Sequence, residues 1–452
     1  MRFPLLARAA TVTGVAVVLL VPLQLVNGKI AERQARANEV ERGFAAETSG
    51  PQTVVGPLLA LTCEERYIEE REIKRGGKAE TVAESKVRAC PTGYFAPRTL
   101  SIAGSMPVEV RYRGIYPIRL FRAALELSGA FDWPAPLPAG RSRVRAWKHA
   151  YIVVATSDAR GIKSVSALSW GDTSLAFTSW RSEADARFAL RASAGPHAAT
   201  RAGQPIPFRF SLELVGTTRL AVAPVGDATT IRLTSNWPHP SFSGAWVPDE
   251  RRISAEGFEA AWRTTHYATG GQATWQKQAR NGALFHTPNA ISIGLYDSVN
   301  VYALAHRATE YGFLFVLFTF TGLALAEALA GVRLHAVQYL LVGSALAIFF
   351  LLLIALAEHA SFRTAYVAAA AACTALLTFY LRQPLGTRLR TAAFFALFVV
   401  LYGALYVLLR SEDFALLGGS ILVFGVLAVA MILTRRLDWS ALAHRLRASS
   451  GV

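Results

Sequence analysis

The chain has 452 residues, of which 52% are hydrophobic and only 17% charged, against about 25% charged in an ordinary soluble domain. Its net charge is +16, yet the basic residues form no tract or stripe, and many gather where apolar runs end. That pattern excludes nucleic acid as the partner they serve, and the long apolar runs between residues 311 and 433 exclude an ordinary soluble protein.

A helix needs about 20 apolar residues to cross the ~30 Å hydrocarbon core of a bilayer. Ala9–Val26 is the first such run. It follows Arg2 and Arg8 and offers no small-residue cleavage site before Asn27-Gly28, so it reads as an anchor, not a removed signal peptide. The helix is expected to continue through Gly28–Glu47, where Glu32 and Arg36 are spaced i,i+4 and Glu39 and Arg42 i,i+3. Ser49-Gly50-Pro51 stops it.

After Pro57 the pattern changes to period two and short β-rich runs: Leu58–Thr62, Val108–Tyr112, Ala150–Thr156, Phe208–Val215, Arg219–Val225 and Ile231–Ser235. Residues 29–306 are therefore expected to form a mainly β, sandwich-like domain, in one lobe or two. Pro134–Arg141 and Ser193–Gly203 are the candidate linkers. Cys63 and Cys90 bracket the polar stretch Glu64–Arg88, which holds Gly76-Gly77 and reads as a hairpin. A disulfide across its outer ends suits an oxidising compartment and would contribute about 3 kcal/mol; two free thiols are the other reading. Cys373 is assigned no role.

Five more apolar runs follow in residues 307–437: Tyr311–Ala330, Gln338–Ala357, Ala365–Leu381, Thr391–Leu409 and Phe414–Leu433. A basic tail, 438–452, closes the chain. With a cytoplasmic N-terminus, the inner flanks hold Arg2, Arg8, Arg333, Arg382, Arg388, Arg390, Arg435, Arg436, Arg445 and Arg447, with Asp438 the main opposing charge, whereas the short outer loops hold Arg363 and Arg410 against Glu358, Glu412 and Asp413. Basic residues favour the cytoplasmic side. The expectation is a six-helix membrane part, both termini in the cytoplasm, and the β domain on the far side, anchored by residues 1–28.

Candidate sites each carry two readings. Glu327 near Arg333 is an ion or proton site or an interfacial ion pair. Glu358-His359 with Arg363 is a small polar site or a helix boundary, and is too small a set for zinc. Asp158 and Arg160, in Asp158-Ala159-Arg160-Gly161-Ile162, bind a ligand or make a turn. Asn236, Trp237 and His239, held among Pro238 and Pro240, form a binding loop or a corner in which Trp237 plugs the core. Nucleophile-elbow, zincin, phosphate-loop and C-x-x-C signatures are absent. No enzyme, cofactor or metal is expected.

Several of these stretches recur together: Thr48-Ser49-Gly50-Pro51-Gln52 with Val55-Gly56-Pro57-Leu58, Asp158–Ile162, Leu233–Phe242, Gly257-Phe258, Arg333-Leu334-His335 with Gln338–Gly343, Glu358-His359, and Leu433-Thr434-Arg435 with Asp438-Trp439. In this order they resemble the CreD family of bacterial inner-membrane proteins. The resemblance implies a role in cell envelope integrity, within an envelope-stress regulon under a two-component system that bears on β-lactam response and colicin tolerance. It carries over no catalytic residue. Thr62–Pro91 departs from the family pattern, so the cysteine pair rests on its own residues. The expected function is binding by a basic periplasmic β domain, with membrane lipids and an envelope polymer or envelope protein as partners and the oligomeric state open. A transporter or flippase-like bundle with a periplasmic sensor domain is the alternative, and an unrecognised enzyme of envelope polymers a third reading.

Overall fold

The computed structural model describes residues 10, 13–75, 78–134, 143–181, 188–195, 204–274, 289–296, 301–330, 332, 334–410 and 415–435. Gly76-Gly77, Arg333, the tail 438–452 and most of both candidate linkers lie outside them. The chain divides into two compact units, Met1–Asn38 with Val299–Val452, and Glu39–Ser298. α1 (Leu20–Glu47) runs through the first of these divisions, its residues from Glu39 grouping with the second unit.

The second unit is β-built. In chain order its strands begin with β1 (Gln52–Arg75), β2 (Lys78–Phe95), β3 (Thr99–Ser105), β4 (Val108–Arg113), β5 (Tyr116–Phe131) and β6 (Arg143–Thr156). There follow β7 (Ile162–Val165), β8 (Leu168–Trp170), β9 (Thr173–Leu175), β10 (Phe177–Arg181), β11 (Phe188–Ser193) and β12 (Ile206–Thr217). The last are β13 (Arg219–Val222), β14 (Ala228–Ser235), β15 (Pro240–Gly244), β16 (Glu250–Ser254), β17 (Gly257–Thr265) and β18 (Ile291–Leu295). One sheet has eight strands in the order β10-β11-β6-β1-β13-β18-β15, with β2 on β1; the other has ten, β16-β17-β14-β3-β5-β12-β8-β9, with β4 on β5 and β7 on β12.

Period-two alternation explains how the sheets meet. Along β12, Phe208, Phe210, Leu212 and Leu214 are buried while Arg209 and Ser211 face out; β5 does the same with Phe121, Ala123, Leu125 and Leu127. Both sheets feed one apolar core, in which Val54, Leu59 and Ile152 of the first join Leu125, Phe210 and Ile231 of the second. The β domain is thus a single lobe. β1 and β2 continue past this core as a ribbon; among the described residues β6 accompanies β1 as far as the pair Tyr67–Arg143.

In the β unit a single turn, α2 (His266–Thr269), stands between β17 and β18; the helices of the first unit are α3 (Val301–Glu310), α4 (Gly312–Ala330), α5 (Ala336–Ala357), α6 (Phe362–Leu385), α7 (Arg388–Arg410) and α8 (Ala415–Thr434). Five described helices are long and apolar enough to cross a membrane; α3 and α4, bent by 42° at Tyr311, make a sixth if the pair is one span. α6 carries the weakest predicted span and is capped at Ser361 and by left-handed Gly386. Leu19, Leu23, Val26 and Ile30 of the first span pack with Phe315, Phe349, Phe350 and Tyr402. A Cβ on Gly343 would overlap Leu19, so that glycine lets two helices approach closely. On α8, Ile421, Phe424, Leu427 and Met431 are all more than half exposed, an apolar surface suited to lipid.

Candidate functional site

Asp158 and Arg160 build a clamp. Asp158 caps a single 3-10 turn, Ala159–Gly161, by accepting from the Arg160 backbone N–H at 3.0 Å, and its carboxylate also accepts from the Arg160 guanidinium at 2.6 Å. The same guanidinium donates to the Ala46 carbonyl in the last turn of α1, where a cation complements the helix dipole. Arg113 holds the neighbouring Glu47 at 3.0 Å. Beneath them Gln52, fully buried, donates to the Asp158 carbonyl at 3.0 Å, and Ser49 donates to the Val215 carbonyl. Gly161 is required here, because a Cβ would overlap the Gln52 side chain. Hydrogen bonding from Arg160 holds the Asp158 carboxyl below the usual carboxylate range, against a smaller opposing effect of burial.

Asn236, Trp237 and His239 form a corner at the end of β14. The Asn236 amide imitates a strand partner, accepting from the Val108 N–H at 2.7 Å and donating to its carbonyl at 3.2 Å. Trp237 is half-buried against the core and donates through Nε1 to the carbonyls of His239, at 3.0 Å, and Tyr296, at 3.2 Å. The Arg119 guanidinium lies 5.7 Å from its ring centre. Asn236 and His239 are exposed, and the His239 ring is edge-on to Trp237. Asp158 and Arg160 follow a strand of the eight-stranded sheet and Trp237 one of the ten-stranded sheet, so the two candidate groups belong to different sheets.

The intramembrane candidates also find local partners. Glu327 accepts from the Leu334 N–H at 2.7 Å and from the Tyr339 hydroxyl at 3.3 Å; its expected partner Arg333 lies outside the described residues. Glu358, nearly buried, meets Arg33 of α1 at 3.7 Å and Tyr302 at 3.5 Å, where the expected neighbour was Arg363. His359 is exposed beside it. Cys63 and Cys90 are directly opposite across β1 and β2, Cα atoms 5.1 Å apart, and are disulfide-bonded. Two residues further out Glu65 lies between Arg88 of β2, at 2.5 Å, and Arg145 of β6, at 2.9 Å. Hydrogen bonds from Arg88 and then Arg145 lower its carboxyl pKa.

Sequence reading missed a further group on the eight-stranded sheet. The Arg191 guanidinium is 4.9 Å from the Tyr151 ring centre and 6.0 Å from that of Trp180. His149 lies 6.3 Å beyond Tyr151 and is exposed. Register explains the grouping: Arg191 pairs with Thr178 and Val153, and Trp180 and Tyr151 are each two residues along from those partners, on the same face. Ala150, Ile152 and Val154 fill the opposite, inward positions of β6. The result is a row of two aromatic rings, a guanidinium and an imidazole across three strands. Rings on a flat face stack against other flat apolar surfaces, and the guanidinium supplies charge and directional donors. The outer face of the ten-stranded sheet bears instead a shallow groove of about 660 Å³, lined by Ser164, Ser166, Ser211, Arg209 and Glu126, in which Arg209 is already paired with Glu126 at 2.8 Å.

Comparison with known proteins adds to this geometry. The family model described as "Inner membrane protein CreD" matches residues 4–440. The Inner membrane protein CreD of Escherichia coli (strain K12) is 31% identical over 465 residues, covering 100% of this chain and 98% of its own. The chain belongs to the CreD family. It is an inner-membrane protein in which apolar helices at both ends flank a central two-sheet β domain. Among solved structures, that of native yeast LTA4 hydrolase matches 51% of this chain and 35% of its own at 10% identity; its TM-score of 0.20 carries no argument about fold or function. Three of the stretches that carry the CreD resemblance are joints between parts of the β domain. Gln52 meets Asp158, Leu233–Phe242 is locked to Val108 and Tyr296, and Gly257, at φ +141°, sits so close to the Ser235 carbonyl that no Cβ fits.

Proposed function

We propose that this CreD-family protein supports cell envelope integrity by binding an anionic envelope polymer through its β domain, which lies in the periplasm. The row Trp180–Arg191–Tyr151–His149 carries this reading. Sugar rings present flat C–H faces that stack on Tyr and Trp, and a carboxylate or phosphate on the polymer pairs with the Arg191 fork. Residues 29–310 hold 35 Lys and Arg against 26 Asp and Glu, an excess that adds a general attraction for polyanions. The disulfide Cys63–Cys90 supports the periplasm, where such bonds persist. Binding, not catalysis, is the activity this row serves.

The test uses full-length protein in detergent and isolated peptidoglycan sacculi in a sedimentation assay. Retention is expected to fall with added salt and to be lost in Arg191→Ala and Tyr151→Ala. The same variants should fail to restore envelope integrity in a deletion strain. Undiminished retention by both variants, at unchanged Tm, would sink the proposal. Transport is the second reading, and the 42° break between α3 and α4 is the observation that favours it. Against it stands a bundle centre filled by Phe315, Phe349, Tyr366 and Tyr402.

A further inference from the structure

β2 pairs with β1 along its length and, among the described residues, with no other strand. One side chain closes the base of its outer edge: Gln272 accepts from the Ala96 N–H at 2.7 Å and donates to the Tyr94 carbonyl. Outward from that base no strand among the described residues pairs with the edge. A long open edge presents a row of backbone donors and acceptors and is either blunted or used. Here Pro91 stands near the base, and the outward segment Lys78–Cys90 contains no proline. Ala83, Glu84, Ser85 and Val87 are exposed along it, and Val87 (56%) shares its face with Ile68 (53%), which pairs with Ser85.

The order of residues says which occupant fits. Antiparallel pairing of this edge with a second copy has a register centred on Ser85. In it Glu84 faces the second copy's Lys86 and Lys86 faces its Glu84. Ala83 faces Val87, twice. Shifting the centre by one residue sets Glu84 against Glu84 or Lys86 against Lys86. Opposite charges across strands stabilise a pair and like charges destabilise it. Lys86 and Glu84 lie on one face of the ribbon, where Lys86 also pairs with Glu69 of β1. Such a contact is isologous, so it closes as a dimer and does not propagate.

We propose that the β2 edge is a homodimer contact, two copies pairing antiparallel about a two-fold axis at Ser85. Full-length Ser85→Cys protein in native membranes, under mild oxidation, should form a disulfide-linked dimer on non-reducing gels. Val144→Cys, also exposed on the same face but two strands from the axis, should not. In detergent, light scattering should show loss of the dimer in Lys86→Glu and its return when Glu84→Lys is added. No Ser85→Cys dimer, or an equal Val144→Cys dimer, overturns the proposal. So does capture of a different protein at Ser85→Cys in place of a second copy. Persistence of the dimer in Lys86→Glu overturns the register.

Discussion

At the scale of residues, Asp158 shows how a polar pair that looks like a ligand site becomes a fastening. Its carboxylate is satisfied on one side by Arg160, whose guanidinium reaches the Ala46 carbonyl. Because Arg160 lowers its native pKa, the carboxylate adds stability above its unfolded value, near about 3.9. That contribution is lost as pH falls through the lowered native value. Thermal melts in detergent between about pH 2 and 6 should therefore show a steeper loss of Tm on acidification in the wild type than in Asp158→Asn. Glu65 titrates with the same sign between Arg88 and Arg145, so the variant keeps part of the slope. Identical slopes would mean that the clamp contributes nothing. Neither clamp could be read in one dimension: Arg160 meets Ala46 across 114 residues, and Arg145 meets Glu65 across 80. The short motif Asp158–Gly161 shows a turn, but not what the turn holds.

At the scale of elements, the β1–β2 ribbon was readable because its signals are local. Alternation, a polar tip and a cysteine at each outer end together describe a hairpin. Its anchoring was not readable, since β6 reaches it from 80 residues away to supply Arg145. The disulfide crosses the ribbon where it leaves the core, between Cys63 and Cys90. Its loss, in the Cys63→Ser, Cys90→Ser double variant, is expected to lower stability by about 2–4 kcal/mol. Wild-type melts with and without reductant check this independently, and a Tm indifferent to both changes would assign the bond no stabilising role. The helices follow the same logic. Their lengths and apolarity are local properties, whereas the bend at Tyr311 and the seat of Leu19 against Gly343 depend on neighbours.

For the whole molecule, the arginine bias of the loops makes a testable topology. Reporter fusions that are active only in the cytoplasm should work after Arg2 and at the C-terminus, and fail in the ten-stranded sheet at Asp172 or Glu256, both in exposed turns. A cytoplasmic signal from the β domain would reverse the orientation and remove the periplasmic reading of its binding face. Amino-acid order alone determined the spans, the continuation of α1 to Glu47, and the presence of a β domain. These follow from length, hydropathy and period-two alternation, which are properties of neighbouring residues. Tertiary structure alone decided that the domain is one lobe with one core. It also turned Asn236, Trp237, Asp158 and Arg160 into fastenings and gathered Tyr151, Trp180 and Arg191 into one row. The reason is register: which side chains meet across a sheet depends on pairings between strands far apart in the chain, and one residue of slip sends each to the opposite face.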